Sequence, residues 1–494
     1  MNALSKLTQH QNVLKTVYVL LFLFFVFDLV FSFQQFRYFS IDGDFSSVII
    51  PSQGYQSVME NPLGWQVISH PEGYPHPNRY FQFKAMSEYF RNVPLVLQHF
   101  FSPIDSIYIS IASLKLITQF GLIYLIALFL TGKWSLFHKE NILIYTLCYP
   151  FFQAWGYQNL MAIIDPAITY AFCYATSTIL VLLFFLPFVL KYSHNYKFKF
   201  GFFWYALLTL YAIFVNLNAS LNAPLILIVS LVTFLCYGIS YQKTKHNFGL
   251  VKFVEGVLKA TPKPVFYLFI WASLVALYSI FLGTFNTENN WETLPLADRY
   301  LRLPKGIVNQ LFGKIGMAIF TISILIQLIV FYRIHPQKNT YHIYILAAGV
   351  IIFLYIILLP LGGYRSYRPL ILRRDTFIPV LLIFLALFSF LSLKNWTVVR
   401  AKLRPIYIIW IGALLIMFTY QDRKIIKQNE CEIQNILQVS RSPESIVVLE
   451  NDCTLMSWWL IKNPAYSIYN MELLYHYGIV KNKEQRYIFK TKQE

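Results

Sequence analysis

Two aspartates separated by one glycine, Asp42-Gly43-Asp44, follow the first apolar stretch of the chain. Carboxylates in that spacing offer two chemistries. In the first, one carboxylate within hydrogen-bond reach of an acceptor hydroxyl takes its proton as general base, worth roughly 10²–10⁴ in rate. In the second, Asp42 and Asp44 hold a divalent cation, Mg²⁺ or Mn²⁺, that neutralises a departing phosphate. Asp and Gly are also ordinary turn residues, so a plain surface turn accounts for the triplet taken alone.

Other polar groups could join it. Glu60-Asn61-Pro62 and His70-Pro71-Glu72 lie further along the same loop, with His76 beyond. Near the C-terminal third, Gly362-Gly363-Tyr364-Arg365-Ser366-Tyr367-Arg368 leads to Arg373-Arg374-Asp375. Arginine forks suit bidentate phosphate binding, and four of them beside a membrane suggest a cradle for a lipid-linked phosphate. Their alternative partners are lipid headgroups or acids such as Glu288, Glu292 and Asp298. Asp165 precedes Pro166 in an otherwise uncharged turn. It is either a second acid at the site or a helix N-cap with proline in the first turn.

These residues hang on a membrane scaffold. The chain has 494 residues, 57% hydrophobic and 13% charged, more apolar surface than a soluble fold can hide. About eleven apolar spans can be read, at roughly 13–33, 106–130, 141–157, 166–190, 200–216, 223–240, 264–284, 315–332, 342–361, 376–393 and 406–420. The expected fold is an all-α polytopic membrane protein, with residues 1–420 as the transmembrane domain and 34–105 as its first outer loop. Asp28 falls inside the first span, facing a cavity or a neighbouring helix. The first span is read as a retained anchor, too long for a signal peptide.

Lysine and arginine in the short loops place the N-terminus in the cytoplasm and the hydrophilic residues 421–494 outside. The arginine loop is the exception to that pattern. Lys245, Lys252 and Lys259 recur every seven residues beside Val251, Val254 and Leu258, a surface helix on anionic headgroups. The net charge of +18 is thus topology and lipid contact, and no patch suits nucleic acid. In the first outer loop, Phe83, Met86, Phe90, Val93 and Leu97 form the apolar face of an amphipathic helix from Tyr80 to Phe101, interrupted near Pro94. The tail reads as a small α/β unit, with a strand at 445–450 and a short helix at 453–461. Cys148, Cys173 and Cys236 sit in apolar stretches as packing residues, and the cysteine set as a whole suggests nothing further.

The ensemble resembles the GT-C superfamily of membrane glycosyltransferases: many spans, an acid just beyond the first, a long first outer loop with surface helices, and an outer tail. The resemblance implies a polyprenyl-phosphate-linked sugar donor, a glycan, lipid or protein acceptor on the extracytoplasmic face, and a catalytic base at Asp42 or Asp44. The family often has Asp-Glu or Asp-Asp there; this chain interposes a glycine. His70-Pro71 loosely matches a His-Pro stretch of related enzymes. Arg374-Asp375-Thr376-Phe377-Ile378-Pro379 partly matches a late Arg-aromatic-x-x-Pro signature, with Asp375 in place of the aromatic. The expected location is a bacterial inner membrane. The competing readings are a transporter or flippase for a lipid-linked or anionic solute, and a non-catalytic subunit of an envelope assembly. Transporters tend to carry ionisable or broken helices near the midplane, whereas the polar groups here concentrate in outer loops.

Overall fold

The computed structural model describes residues 2–69, 73–152, 161, 163–246, 249–289, 294–335, 340–364, 370–400, 402–422 and 426–490. Among them, nine helices are long and apolar enough to cross a bilayer: Asn12–Arg37, Pro103–Thr131, Ile168–Tyr192, Asn222–Lys245, Lys263–Gly283, Ile315–Ile334, Tyr341–Gly362, Arg374–Val398 and Arg404–Gln421. Such helices satisfy their own backbone groups while lipid solvates their side chains, the make-up of an integral membrane protein. In the remaining two expected spans the described residues form shorter helices. Lys139–Cys148 has 10 residues and runs into a 3-10 turn that contains Pro150, while Phe202–Asn216 has 15. A helix of that length reaches roughly 22 Å, short of the ~30 Å hydrocarbon layer.

The helix Asn2–Arg37 lies at the edge of the bundle. Its Phe24, Phe27 and Val30 are exposed, while Phe25 turns inward onto the Tyr145 ring at 4.8 Å. Beyond it, the chain folds into short helices, Phe45–Ile49, Gln53–Glu60 and Gln66–Ser69, before the amphipathic helix Tyr80–Leu97. Phe83, Met86 and Phe90 are buried as the pattern predicts. Pro94 does not interrupt this helix. A proline removes the bond to the carbonyl four residues back, and here Tyr477 of the tail fills the vacancy, its hydroxyl donating to Phe90 O at 2.7 Å.

The tail is a compact α/β unit. Helix Glu430–Arg441 precedes β1 (Ile446–Leu449), and helix Ile468–His476 precedes β2 (Arg486–Phe489). The strands pair in parallel with Val447 opposite Tyr487. Ile436, Val439, Leu449, Leu474 and Tyr487 form its buried centre. The helix expected at 453–461 is instead a run of bends. Cys453 is disulfide-bonded to Cys431, and Met456 sits at φ 45° with its N–H on a side chain, so local helical bonding is displaced by tertiary ties. The cysteine reading missed this bond.

The basic surface helix is present as Leu250–Ala260, with Leu250, Val251, Val254 and Leu258 exposed. Lys252 and Lys259 flank Glu255 at 2.7 and 2.8 Å, whereas Lys245 ends the preceding helix.

Candidate functional site

The triplet meets two layers of structure. The lower layer is ionic. Lys115, in the interior of the helix Pro103–Thr131, is fully buried between the rings of Phe36 and Phe39, 5.7 and 5.2 Å away. Its ammonium donates to the Pro166 carbonyl and sits within electrostatic reach of Asp42 and Asp165. Asp165 accepts the Ala167 N–H at 2.9 Å and forms an ion pair with Arg374 at the head of the helix Arg374–Val398. Burial raises the Asp165 carboxyl above its ordinary value; Arg374, the Ala167 N–H and Lys115 draw it back. A lone lysine inside an apolar helix is costly, and the two carboxylates offset that cost.

Asp42 belongs to this layer. Its Oδ2 accepts the Thr169 N–H at 3.0 Å, and its Oδ1 accepts the Thr169 hydroxyl at 2.7 Å and the Asp44 N–H at 3.2 Å. Burial raises its carboxyl, against those bonds and the Lys115 charge. With both oxygens engaged at 5% exposure, Asp42 fastens the triplet to the first turn of the helix Ile168–Tyr192. The turn form of the triplet is therefore present, and it is anchored.

Asp44 is half-buried and opens the short helix Phe45–Ile49. It belongs to the upper layer. There, burial pushes the Tyr55 phenol well above its usual value, aided by the negative charges of Asp44 and Glu288 and opposed by Arg79. His76 pairs with Glu288 at 3.2 Å, its ring lying 6.4 Å from Tyr55 and 5.4 Å from Phe83. Arg79 donates to the Ser220 hydroxyl at 2.9 Å. A carboxylate, a phenol, an imidazole–carboxylate pair and a guanidinium thus gather around the segment that follows the first span.

The tail roofs the triplet. A Cβ on Gly43 would stand 2.6 Å from the Trp458 backbone nitrogen, so glycine between the aspartates lets the tail close over them. The Trp458 ring, 45% exposed, also meets Tyr170 at 5.6 Å.

No family model, no curated protein and no solved structure matches this chain.

The other sequence candidates fare unequally. Arg374 and Asp165 come together, as partners of each other. Arg373 donates to Asp375 at 2.6 Å, and Asp375 also accepts the Thr376 N–H at 3.0 Å. The acid that replaces the aromatic of the late signature thus neutralises an arginine in the first turn of a helix. Glu60 is exposed and accepts from Gln56 at 2.8 Å, apart from the cluster. His70, Arg365 and Arg368 lie outside the described residues. Among those described, no group of three or more His, Cys, Asp or Glu is arranged to hold a metal ion. Asp42, committed to Thr169, does not fit a cation cage with Asp44. Sequence reasoning passed over Lys115, Thr169, Tyr55 and Arg79. Only Lys115 carried a signal that composition reveals, a charge inside an apolar run.

Proposed function

We propose that this protein is a membrane glycosyltransferase of GT-C type, moving a sugar from a polyprenyl-phosphate-linked donor to an acceptor on the extracytoplasmic face of a bacterial inner membrane. The observation that carries the reading is the pairing within the triplet. Asp42 is locked into the bundle, while Asp44, one residue past Gly43, is left half-buried among Tyr55, His76–Glu288 and Arg79. Asp44 is the general base. It takes the acceptor hydroxyl proton as the acceptor oxygen bonds to the sugar's anomeric carbon. The bond from that carbon to the phosphate oxygen breaks, and the electron pair leaves with the polyprenyl phosphate. With Arg374 engaged by Asp165 and Arg373 by Asp375, phosphate binding falls to Arg365 and Arg368. No step requires a metal.

Eleven membrane crossings, with the two short helices crossing together with their flanking residues, the N-terminus inside and the tail outside, fit this reading. The Cys431–Cys453 disulfide supports the outer placement of the tail, because such bonds persist in oxidising compartments. Cysteine labelling from outside tests it: positions engineered at Ser52 and Ser366 should react, and one at Lys197 should not.

One observation favours the transporter reading. Lys115 and its acids form a buried ionic cluster reaching into a span, where such groups often mark solute or proton pathways. A single experiment separates the two. A deletion strain complemented with Lys115→Met or Asp44→Asn is compared for lipid-linked saccharides by mass spectrometry. A transferase loses its product with Asp44→Asn in open membrane fragments, where no transport is needed; a transporter does not.

A further inference from the structure

Glu432 is the tail's buried acid at the junction with the first outer loop. It is 1% exposed, one residue from Cys431, and three hydrogen bonds to its side chain cross between elements. Its Oε2 accepts the Ile41 N–H at 2.9 Å and the Tyr108 hydroxyl at 2.8 Å; its Oε1 accepts the Met456 N–H at 2.9 Å. Ile41 immediately precedes Asp42. Met456 lies in the run of bends that lays Trp458 on Gly43, and the Cys431–Cys453 bond joins the two tail segments that supply Glu432 and Met456. Asn429 adds a bond to the Arg37 carbonyl at 3.0 Å, tying the same helix to the end of the first span. One carboxylate therefore grips the backbone just before the triplet and, with its other oxygen, the loop that covers it.

We propose that Glu432 is a positioning residue for the transfer reaction and that the tail is a disulfide-braced clamp setting where Asp44 stands. This rests on the reading of Asp44 as the base. The chemistry of the grip is specific to a carboxyl group, whose two oxygens both keep acceptor lone pairs, the Tyr108 hydroxyl turning to take the proton when the group is protonated. Glutamine has one acceptor oxygen and one NH2 group, and in either orientation of the amide that NH2 faces a backbone N–H, of Ile41 or of Met456. Glu432→Gln must release one side of the clamp. A base displaced by about an ångström loses on the order of a hundredfold in rate without losing substrate affinity.

The test uses the full-length protein in lipid vesicles, with Glu432→Gln and the milder Tyr108→Phe, which deletes one donor and leaves the carboxylate. The first readout is hydrogen–deuterium exchange in the peptide 39–46, with the helix Phe202–Asn216 as a distant control. The second is initial rate against concentration of the lipid-linked saccharide that accumulates in the deletion strain, purified as donor. Expected for Glu432→Gln is faster exchange at 39–46 alone, with kcat down tenfold or more and KM within about twofold. Tyr108→Phe should move both in the same direction by less. Unchanged exchange overturns the clamp, and faster exchange with unchanged kcat overturns the positioning role. Should the deletion strain accumulate no such lipid, the transferase reading falls separately. Exchange at 39–46 would then still decide whether Glu432 holds the triplet.

Discussion

The floor and the roof of the triplet both rest on a buried acid, but the two acids are held differently. Below, Asp165 meets cations: the Arg374 guanidinium directly and the Lys115 ammonium nearby. Above, Glu432 meets only neutral donors, two backbone N–H groups and a tyrosine hydroxyl. Burial pushes the Glu432 carboxyl up to about 7, those three bonds notwithstanding, and the nearby Asp42 charge adds to the rise. The floor is a fixed electrostatic foundation, whereas the roof is held by a group that titrates near neutrality. Asp44 lies between them, so its position answers to both.

The comparison breaks most visibly at the floor. Arg374→Ala strands Asp165 and should destabilise the fold by about 3–5 kcal/mol, read as lost thermal stability and lower abundance in membranes. The double change Asp165→Asn with Arg374→Met removes both charges and should recover most of that loss. If the single change is as stable as the wild type, the pair is not a foundation.

Next comes the brace of the roof. The Cys431–Cys453 bond closes a separation of 22 residues, a loop of the size that contributes roughly 3 kcal/mol. Cys431→Ser with Cys453→Ser should make the tail protease-sensitive while the spans stay folded. Gly43→Ala should act on the same contact from the other side, costing about 1–3 kcal/mol of docking, because the new methyl meets the backbone of Trp458.

The titration sharpens the contrast. The docked tail keeps a proton on Glu432 that the undocked tail, with a carboxyl near 4.5, gives up. Between about pH 4.5 and 7 the docked state binds more protons, so docking is tightest at the acid end and weakens as pH rises through 7. Asp42 and Tyr108 face the same carboxyl and belong to the same titration. Exchange of the tail helix Glu430–Arg441 against pH should show this slope, and Glu432→Gln should flatten it. A pH-independent tail would make the roof as fixed as the floor.

The smallest effect is expected at Tyr477→Phe. The Phe90 carbonyl freed by Pro94 loses its donor, at about 1 kcal/mol, and exchange near Phe90 should quicken slightly.

What the sequence disclosed follows from the range of the interactions involved. Spans are local, and apolar runs marked eleven, nine of which are long helices among the described residues; the shortness of Lys139–Cys148 and Phe202–Asn216 escaped because hydropathy measures composition and not where a helix stops. The triplet itself was legible as acids beyond a span. Its surroundings were not. Asp42 is matched by Thr169 and grouped with Lys115, and the preceding Ile41 is held by Glu432, 391 residues away. No periodicity carries pairings of that separation. Gly43 looked like an interruption of a pair of acids, and its reason lies in Trp458. Asp165 is not the helix N-cap, a place held by Ala167; it accepts the Ala167 N–H in the preceding turn and pairs with Arg374. The disulfide was closer to hand. Cys431 and Cys453 are the two cysteines outside the apolar stretches.

The central claim is that Asp44 is the working acid and Asp42 its anchor. The most direct measurement is the lipid-linked saccharide profile, by mass spectrometry, of a deletion strain carrying wild-type, Asp44→Asn or Asp42→Asn protein at matched membrane abundance. The account predicts that Asp44→Asn abolishes product with the protein intact, and that Asp42→Asn loses activity together with stability. Near-normal product from Asp44→Asn would contradict it.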